Sequence, residues 1–82
     1  MKIYIVLNSS FYTEEQNQYC FNNKIELEWD LPFLPNDTDL LDCDSIIEDM
    51  PEWDIGLSWS VHYINYVRIN GIISPIVTLS GE

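Results

Sequence analysis

Basic residues are nearly absent. Lys2, Lys24 and Arg68 stand against 14 carboxylates in 82 residues, giving a net charge of −11 and an isoelectric point of about 4.1. A chain so poor in cations is repelled by phosphate, which argues against direct binding to nucleic acid or to an anionic membrane. There is one histidine, His62, and only three glycines, Gly56, Gly71 and Gly81. Neither a zinc pattern nor a phosphate-cradling glycine loop can be assembled from them. Cys20 and Cys43 are too few for a disulfide framework and form no CxxC pair. No apolar run approaches the roughly 18 residues that cross a bilayer. The run at Lys2–Leu7 is too short for a signal-peptide core and lacks a small-residue cleavage site. The expected setting is a reducing cytoplasm, that of a host cell if the chain is phage-encoded, with both thiols free.

What the sequence does have is acid, unevenly placed. Thirteen of the 14 carboxylates lie between Glu14 and Asp54, and from Gly56 onward Arg68 and Glu82 are the only charges. The densest stretch carries Glu26, Glu28, Asp30, Asp37, Asp39, Asp42, Asp44, Glu48, Asp49, Glu52 and Asp54, with no Lys, Arg or His among them. Large apolar residues run through the same stretch, from Leu27 and Trp29 to Ile46, Ile47, Met50 and Trp53. Acids alone stay disordered, whereas acids set among apolar anchors can fold and present a fixed negative surface.

Periodicity places the elements. Lys2–Leu7 is a short continuous apolar run and reads as a buried strand. The stretch 11–23 is ambiguous between a loop, a ragged strand near Tyr19–Phe21 and a short helix over Glu14–Gln18, with Asn22-Asn23 suited to a left-handed turn. Lys24–Asp30 alternates: Ile25, Leu27 and Trp29 face one way, Glu26, Glu28 and Asp30 the other, as in a half-buried strand. Within Asn36–Pro51, Leu40, Cys43, Ile46, Ile47 and Met50 fall in one helical arc of about 120°, predicting a helix over about 38–50 that Asp37 or Thr38 caps and Pro51 stops. Two features favour a turn at Thr38–Asp42 and a separate short helix at Ile46–Met50 instead. Glu48 and Asp49 oppose the helix dipole, and Ser45-x-x-Glu48 is itself a capping box. Leu57–Ile69 and Ile72–Ser80 are β-rich runs flanking Asn70-Gly71, which predicts a two-residue type I′ hairpin. That turn would pair Ile69 with Ile72, Val67 with Ser74, Asn65 with Ile76 and Tyr63 with Thr78. Pro75 suggests that the last strand is an edge or is bulged there. The expected fold is α+β: a single compact domain over 1–82, with an antiparallel sheet of about four strands, one short helix and a C-terminal hairpin.

Catalytic chemistry has little support. Nucleophilic catalysis needs a base beside Ser or Cys, and nothing places His62 beside Ser58, Ser60, Cys20 or Cys43. With 14 acids, close carboxylate pairs arise by chance. Asp37-x-Asp39 and Asp42-x-Asp44 resemble the start of a calcium loop, but Leu41 or Ile46 follows at the fifth position and Asp42 or Ile47 where glycine is required. A weak divalent-cation site is the most these allow. The chain is expected to be a non-enzyme without a cofactor or a dedicated metal site.

A basic partner is the natural complement, since charge complementarity steers association. Carboxylates held on a folded surface can occupy a Lys/Arg-lined channel in place of phosphates. The expected role is therefore an acidic interaction or inhibitor protein, a nucleic-acid mimic whose partner is a nuclease or another nucleic-acid-binding protein. Its composition is similar to that of phage-encoded inhibitors of host defence nucleases, such as anti-CRISPR and anti-restriction proteins, and of immunity proteins of nuclease toxins. No motif carries that likeness. The expected contact residues are the eleven carboxylates from Glu26 to Asp54 together with Trp53, as an exposed anchor ringed by acids. The alternative is a non-catalytic small domain that forms a homodimer or scaffold through its sheet edge.

Self-repulsion at this net charge opposes the compact state. Raising NaCl from about 0.02 to about 0.5 M at pH 7 should therefore raise the thermal midpoint, because the Debye length falls from roughly 20 Å to a few ångströms. A midpoint that falls with salt would mean that the acids are not crowded together.

Overall fold

The computed structural model describes residues 1–82 as an α+β fold. Five strands and two short helices follow in the order β1 (Lys2–Ser9), α1 (Glu14–Asn22), β2 (Ile25–Glu28), β3 (Leu40–Leu41), α2 (Cys43–Ile46), β4 (Trp59–Ile69) and β5 (Ile72–Gly81). The strands form one mixed sheet in the order β2-β1-β5-β4-β3. This corrects the expected four-stranded antiparallel sheet in two ways. A fifth strand, β3, adds to the far edge, and β1 pairs with β5 in parallel, from Tyr4 opposite Ile76 to Ser9 opposite Gly81. No helix is long and apolar enough to cross a membrane.

β1 and β5 are central because they are apolar on both sides. Ile3, Ile5 and Leu7 point to the covered face with Val77 and Leu79, and all five are fully buried. Val6, Ile76 and Thr78 point to the opposite face and are nearly as buried, although no helix lies over it. Full burial of each such side chain contributes about 1.5–3 kcal/mol.

The hairpin forms as its turn chemistry dictates. Asn70 and Gly71 have φ of 51° and 82°, and all four expected pairs, from Ile69 with Ile72 to Tyr63 with Thr78, are present. Pro75 lies opposite Tyr66, one residue before pairing with β1 begins at Ile76. β5 is interior to the sheet overall, but at Pro75 it still has a free side, so the missing N–H breaks no ladder bond. A bulge at His62 alters the face pattern that simple alternation implies. Val61 pairs with Leu79 and Tyr63 with Thr78, so one β5 residue is matched by two of β4. Trp59, Val61 and Ile64 therefore face the core, while Tyr63, Val67 and Ile69 face the open side.

The stretch 11–23 contains a helix, Glu14–Asn22. Thr13 caps α1 with its hydroxyl accepting from the Gln16 N–H, and the Gln16 side chain accepts from the Thr13 N–H, a complete capping box. Asn17 ties the helix to β1: its carboxamide accepts from the Ser9 N–H (3.0 Å) and donates to the Ser9 carbonyl (2.9 Å). Asn23 ends the helix at φ −122°, so no left-handed turn forms there.

The helix expected over about 38–50 is absent. Asp39 N–H donates to the Asn36 carbonyl (3.1 Å), closing a turn with Thr38 at φ 70°. Thr38 N–H and Asp39 C=O then bracket Val61, and Leu40–Leu41 pair with Ser60 and Trp59. A β-branched residue at positive φ stores about 1–2 kcal/mol, and the bonds of Thr38 and Asp39 to Val61 with the pairing of Leu40–Leu41 after the turn hold it there. One helical turn remains, Cys43–Ile46, and Ile47 is already extended. Neither the long helix nor a separate one at Ile46–Met50 forms. Glu48 and Asp49 oppose any C-terminal extension, Pro51 disfavours it, and Leu41 gains more by sheet pairing.

Gly81 is the tightest point of the core. A Cβ there would lie 2.6 Å from Trp59 Cζ3, 2.7 Å from Cη2 and 3.0 Å from Leu57 Cδ1. Trp59 is 3% exposed and has no room to withdraw. Gly81→Ala should cost about 1–3 kcal/mol through overpacking, lowering the thermal midpoint by roughly 5–20 °C for a domain of this size. A midpoint within a degree of the parent would rule out this close approach.

Candidate functional site

The acidic stretch is the layer that covers one face of the sheet. β2 is one edge and β3 the other, so the chain leaving Glu28 must cross that face to reach Leu40. The indole N–H of Trp29 donates to the Phe33 carbonyl (2.8 Å) and shapes the exit. Leu34, Leu41, Cys43, Ile46, Ile47, Met50 and Trp53 turn inward onto the core. Between them Asp30, Asp37, Asp39, Asp42, Asp44, Glu48, Asp49 and Glu52 are exposed, and Asp54 is half-buried. The inward apolar residues hold this layer against its own charge.

The structure separates the expected contact residues into two groups. Glu26 is opposite Tyr4 and Glu28 opposite Lys2, on the open face of the sheet, whereas Ile25 and Leu27 face the covering layer. Both strand carboxylates already have cations: Lys2 Nζ is 3.3 Å from Glu26, and the Met1 amino group is 3.0 Å from Glu28. The nine from Asp30 to Asp54 have none, because these two ion pairs are the only ones in the chain. Lys24 and Arg68 instead donate to the carbonyls of Phe21 and Gly71. The sheet therefore stands between Glu26 and Glu28 on one side and Asp37–Asp54 on the other, and alternation along β2 alone could not show which face would be covered.

Three of the nine also accept hydrogen bonds within the chain. Asp39 accepts from the Asn36 N–H (2.8 Å), and Asp42 accepts from the Ser45 hydroxyl (2.8 Å). Asp54 accepts from the Tyr12 hydroxyl (3.1 Å) and from the Gly56 N–H (3.4 Å), the latter at a glycine with φ 76°. Asp30, Asp37, Asp44, Glu48, Asp49 and Glu52 accept no side-chain or backbone hydrogen bond of this kind and are free to meet another molecule. No three carboxylate, histidine or cysteine side chains converge as a metal site.

Trp53 is not the exposed anchor that its neighbours suggest. It is half-buried, with its ring edge-to-face against Tyr12 (6.2 Å) and Tyr19 (5.4 Å), and Tyr12 in turn meets Trp59 (5.8 Å). Its indole N–H is buried without a hydrogen-bond partner. Beside it lies a cleft of about 440 Å³, bounded by Tyr19 and Cys20 of α1, by Asn23 just after it, and by Asp49, Met50 and Glu52 of the layer. Sequence reasoning missed this aromatic cluster because Tyr12 and Tyr19 lie in the stretch that showed no clear period. The Thr13-x-x-Gln16 capping box was the available signal.

Both thiols are free and buried. Burial pushes the Cys20 thiol up. Burial, then the nearby Asp44, Asp54 and Asp42, pushes Cys43 up to about 12. Tyr12 is also raised, first by burial and then by its hydrogen bond to Asp54. His62 is exposed at the bulge, with its ring against Tyr63 (5.2 Å). Comparison with protein-family models, characterised proteins and solved structures finds no match to this chain.

A pH dependence follows. The folded chain holds its Cys43 proton above the usual thiol value of about 8.5, so the unfolded chain releases that proton first. The stabilisation from the neutral thiol is complete below about 8.5 and is lost as pH rises toward about 12. Tyr12 acts in the same sense at higher pH. Urea midpoints should therefore fall steadily above pH 9, and Cys43→Ala, although it leaves a small cavity, should flatten the early part of that fall. Midpoints constant from pH 8 to 11 would contradict the burial of both groups.

Proposed function

We propose that this protein binds the basic nucleic-acid-binding surface of another protein, using the carboxylates of the covering layer in place of phosphates. The observation that supports this reading is the set of nine carboxylates from Asp30 to Asp54, held on an ordered layer with no cation of their own. Each exposed ion pair is worth little alone, but several fixed charges of one sign steer association and suppress wrong partners. The partner class is a nuclease or another nucleic-acid-binding protein, met in the cytoplasm. The role is that of an inhibitor, either of the kind phages direct at host nucleases or of the kind that restrains a nuclease toxin. Glu26 and Glu28 contribute less, because their own cations already compensate them. Trp53 acts from within, by holding the layer to α1 rather than by entering the partner.

The test is a low-salt capture from the natural host, followed by titration of the captured protein. The expected partner is basic, loses nucleic-acid binding on saturation, and releases steeply as NaCl rises from about 0.05 to about 0.5 M. Neutralising Asp44, Glu48, Asp49 and Glu52 together as Asn and Gln should weaken binding more than tenfold, about 1.4 kcal/mol, without lowering the thermal midpoint. Glu26→Gln with Glu28→Gln should change it only slightly. Affinity indifferent to both salt and the four-residue change would sink the proposal.

A further inference from the structure

The end of the molecule farthest in sequence from the acids has an unpaired edge. β3 reaches only Ser60 and Trp59, and the Thr38–Asp39 contacts go no further than Val61, so β4 has no outer neighbour from Tyr63 to Ile69. The two-residue turn makes Ile69 and Ile72 a hydrogen-bonded pair, and the ladder alternates from there. The N–H and C=O groups of Ile64, Tyr66 and Arg68 therefore point outward. Natural edges are usually blunted by charged side chains, proline or a bulge. This stretch has neither proline nor bulge, since the bulge at His62 precedes it, and its single charge, Arg68, is turned to the Gly71 carbonyl. The side chains flanking it are apolar and open, with Tyr66 61%, Tyr63 50% and Ile73 62% exposed.

Charge selects the occupant. No Asp or Glu occurs from Ile55 to Gly81, so this arm is where two chains of net charge −11 can approach with the least acid between them. Antiparallel edge pairing is also self-complementary, as a closed twofold contact must be. We propose that two copies of this chain pair through the Tyr63–Ile69 edge about a twofold axis at Tyr66. Tyr66 then faces its counterpart, Ile64 faces Arg68 of the other copy, and three outward N–H groups from each chain close the ladder. The two sheets become one continuous sheet, with the acidic layers carried away from the axis.

The test combines sedimentation equilibrium over about 5–500 µM with amide hydrogen exchange, at about 0.05 and 0.5 M NaCl. The expected result is a monomer–dimer equilibrium that tightens several-fold at the higher salt, with the Ile64, Tyr66 and Arg68 amides slowing in step with the dimer fraction. That salt response is opposite to the one expected for a basic partner, so failure of either reading is visible separately. Tyr66→Asp sets two carboxylates on the axis and should weaken association at least tenfold. Should that variant not fold, exchange at the three amides of the parent chain decides alone. A monomer throughout, open-ended assemblies, association weakened by salt, or a dimer whose three amides exchange as fast as in the monomer would each overturn the proposal.

Discussion

The parallel pairing of β1 with β5 is the constraint on which the remainder of the fold depends. A strand with neighbours on both sides and little solvent on either face cannot carry charge, since an unpaired buried carboxylate would neutralise or unfold the site. Tyr4–Ser9 and Ile76–Gly81 meet that condition, and neither contains Asp, Glu, Lys, Arg or His. Val6 and Ile76, on the open face, are nearly as well buried as their neighbours on the covered one. Apart from Glu82, which follows β5, the acids are thereby confined to the edges, to α1 and to the covering layer. A net charge of −11 is compatible with a folded chain because the sheet's centre carries none of it.

The covering layer is made of turns rather than a helix, and each turn has its own fastening. Trp29 bonds to Phe33, Asp39 to Asn36, Asp42 to Ser45, and Asp54 to Tyr12 and Gly56. Short polar side chains that bond their own backbone compete with helix formation, which fits a segment this rich in aspartate. The turns leave Thr38 at positive φ, a conformation disfavoured for a β-branched residue and maintained here by the pairing of Leu40–Leu41 with β4. Inward, the layer closes on the aromatic cluster of Tyr12, Tyr19, Trp53 and Trp59. Outward, it presents carboxylates that nothing in the chain neutralises.

Much of the β structure was legible in the residues. The hairpin register followed from Asn70-Gly71, because a type I′ turn fixes which residues face each other. β2 followed from its clean alternation. The helix α1 was obscured because only Cys20 along it is buried, so it lacks the apolar stripe by which helices are found. The expected helix over 38–50 failed for the opposite reason. Leu40, Cys43, Ile46, Ile47 and Met50 do share a helical arc, but a strand pair, one helical turn and an extended segment bury most of the same residues. Periodicity reports which residues go inside, and a short segment can satisfy it in more than one way. The bulge at His62 left no mark in the alternation, since Trp59, Val61 and Ile64 are all apolar whichever face they take.

The sequence by itself determined the segregation of charge, the burial of the strand Lys2–Leu7, the turn at Asn70-Gly71 and the crowding of acid between Glu26 and Asp54. These are local properties of composition and period. Only the tertiary structure decided that Glu26 and Glu28 lie across the sheet from Asp37–Asp54, that Trp53 packs inward, and that β4 has a free edge beyond Val61. Each of these depends on which segment pairs with which across long stretches of chain. Alternation defines two faces of a strand, but the face that becomes covered is chosen by the path of residues 29–58 over the sheet, and that path is set by pairing at its far end.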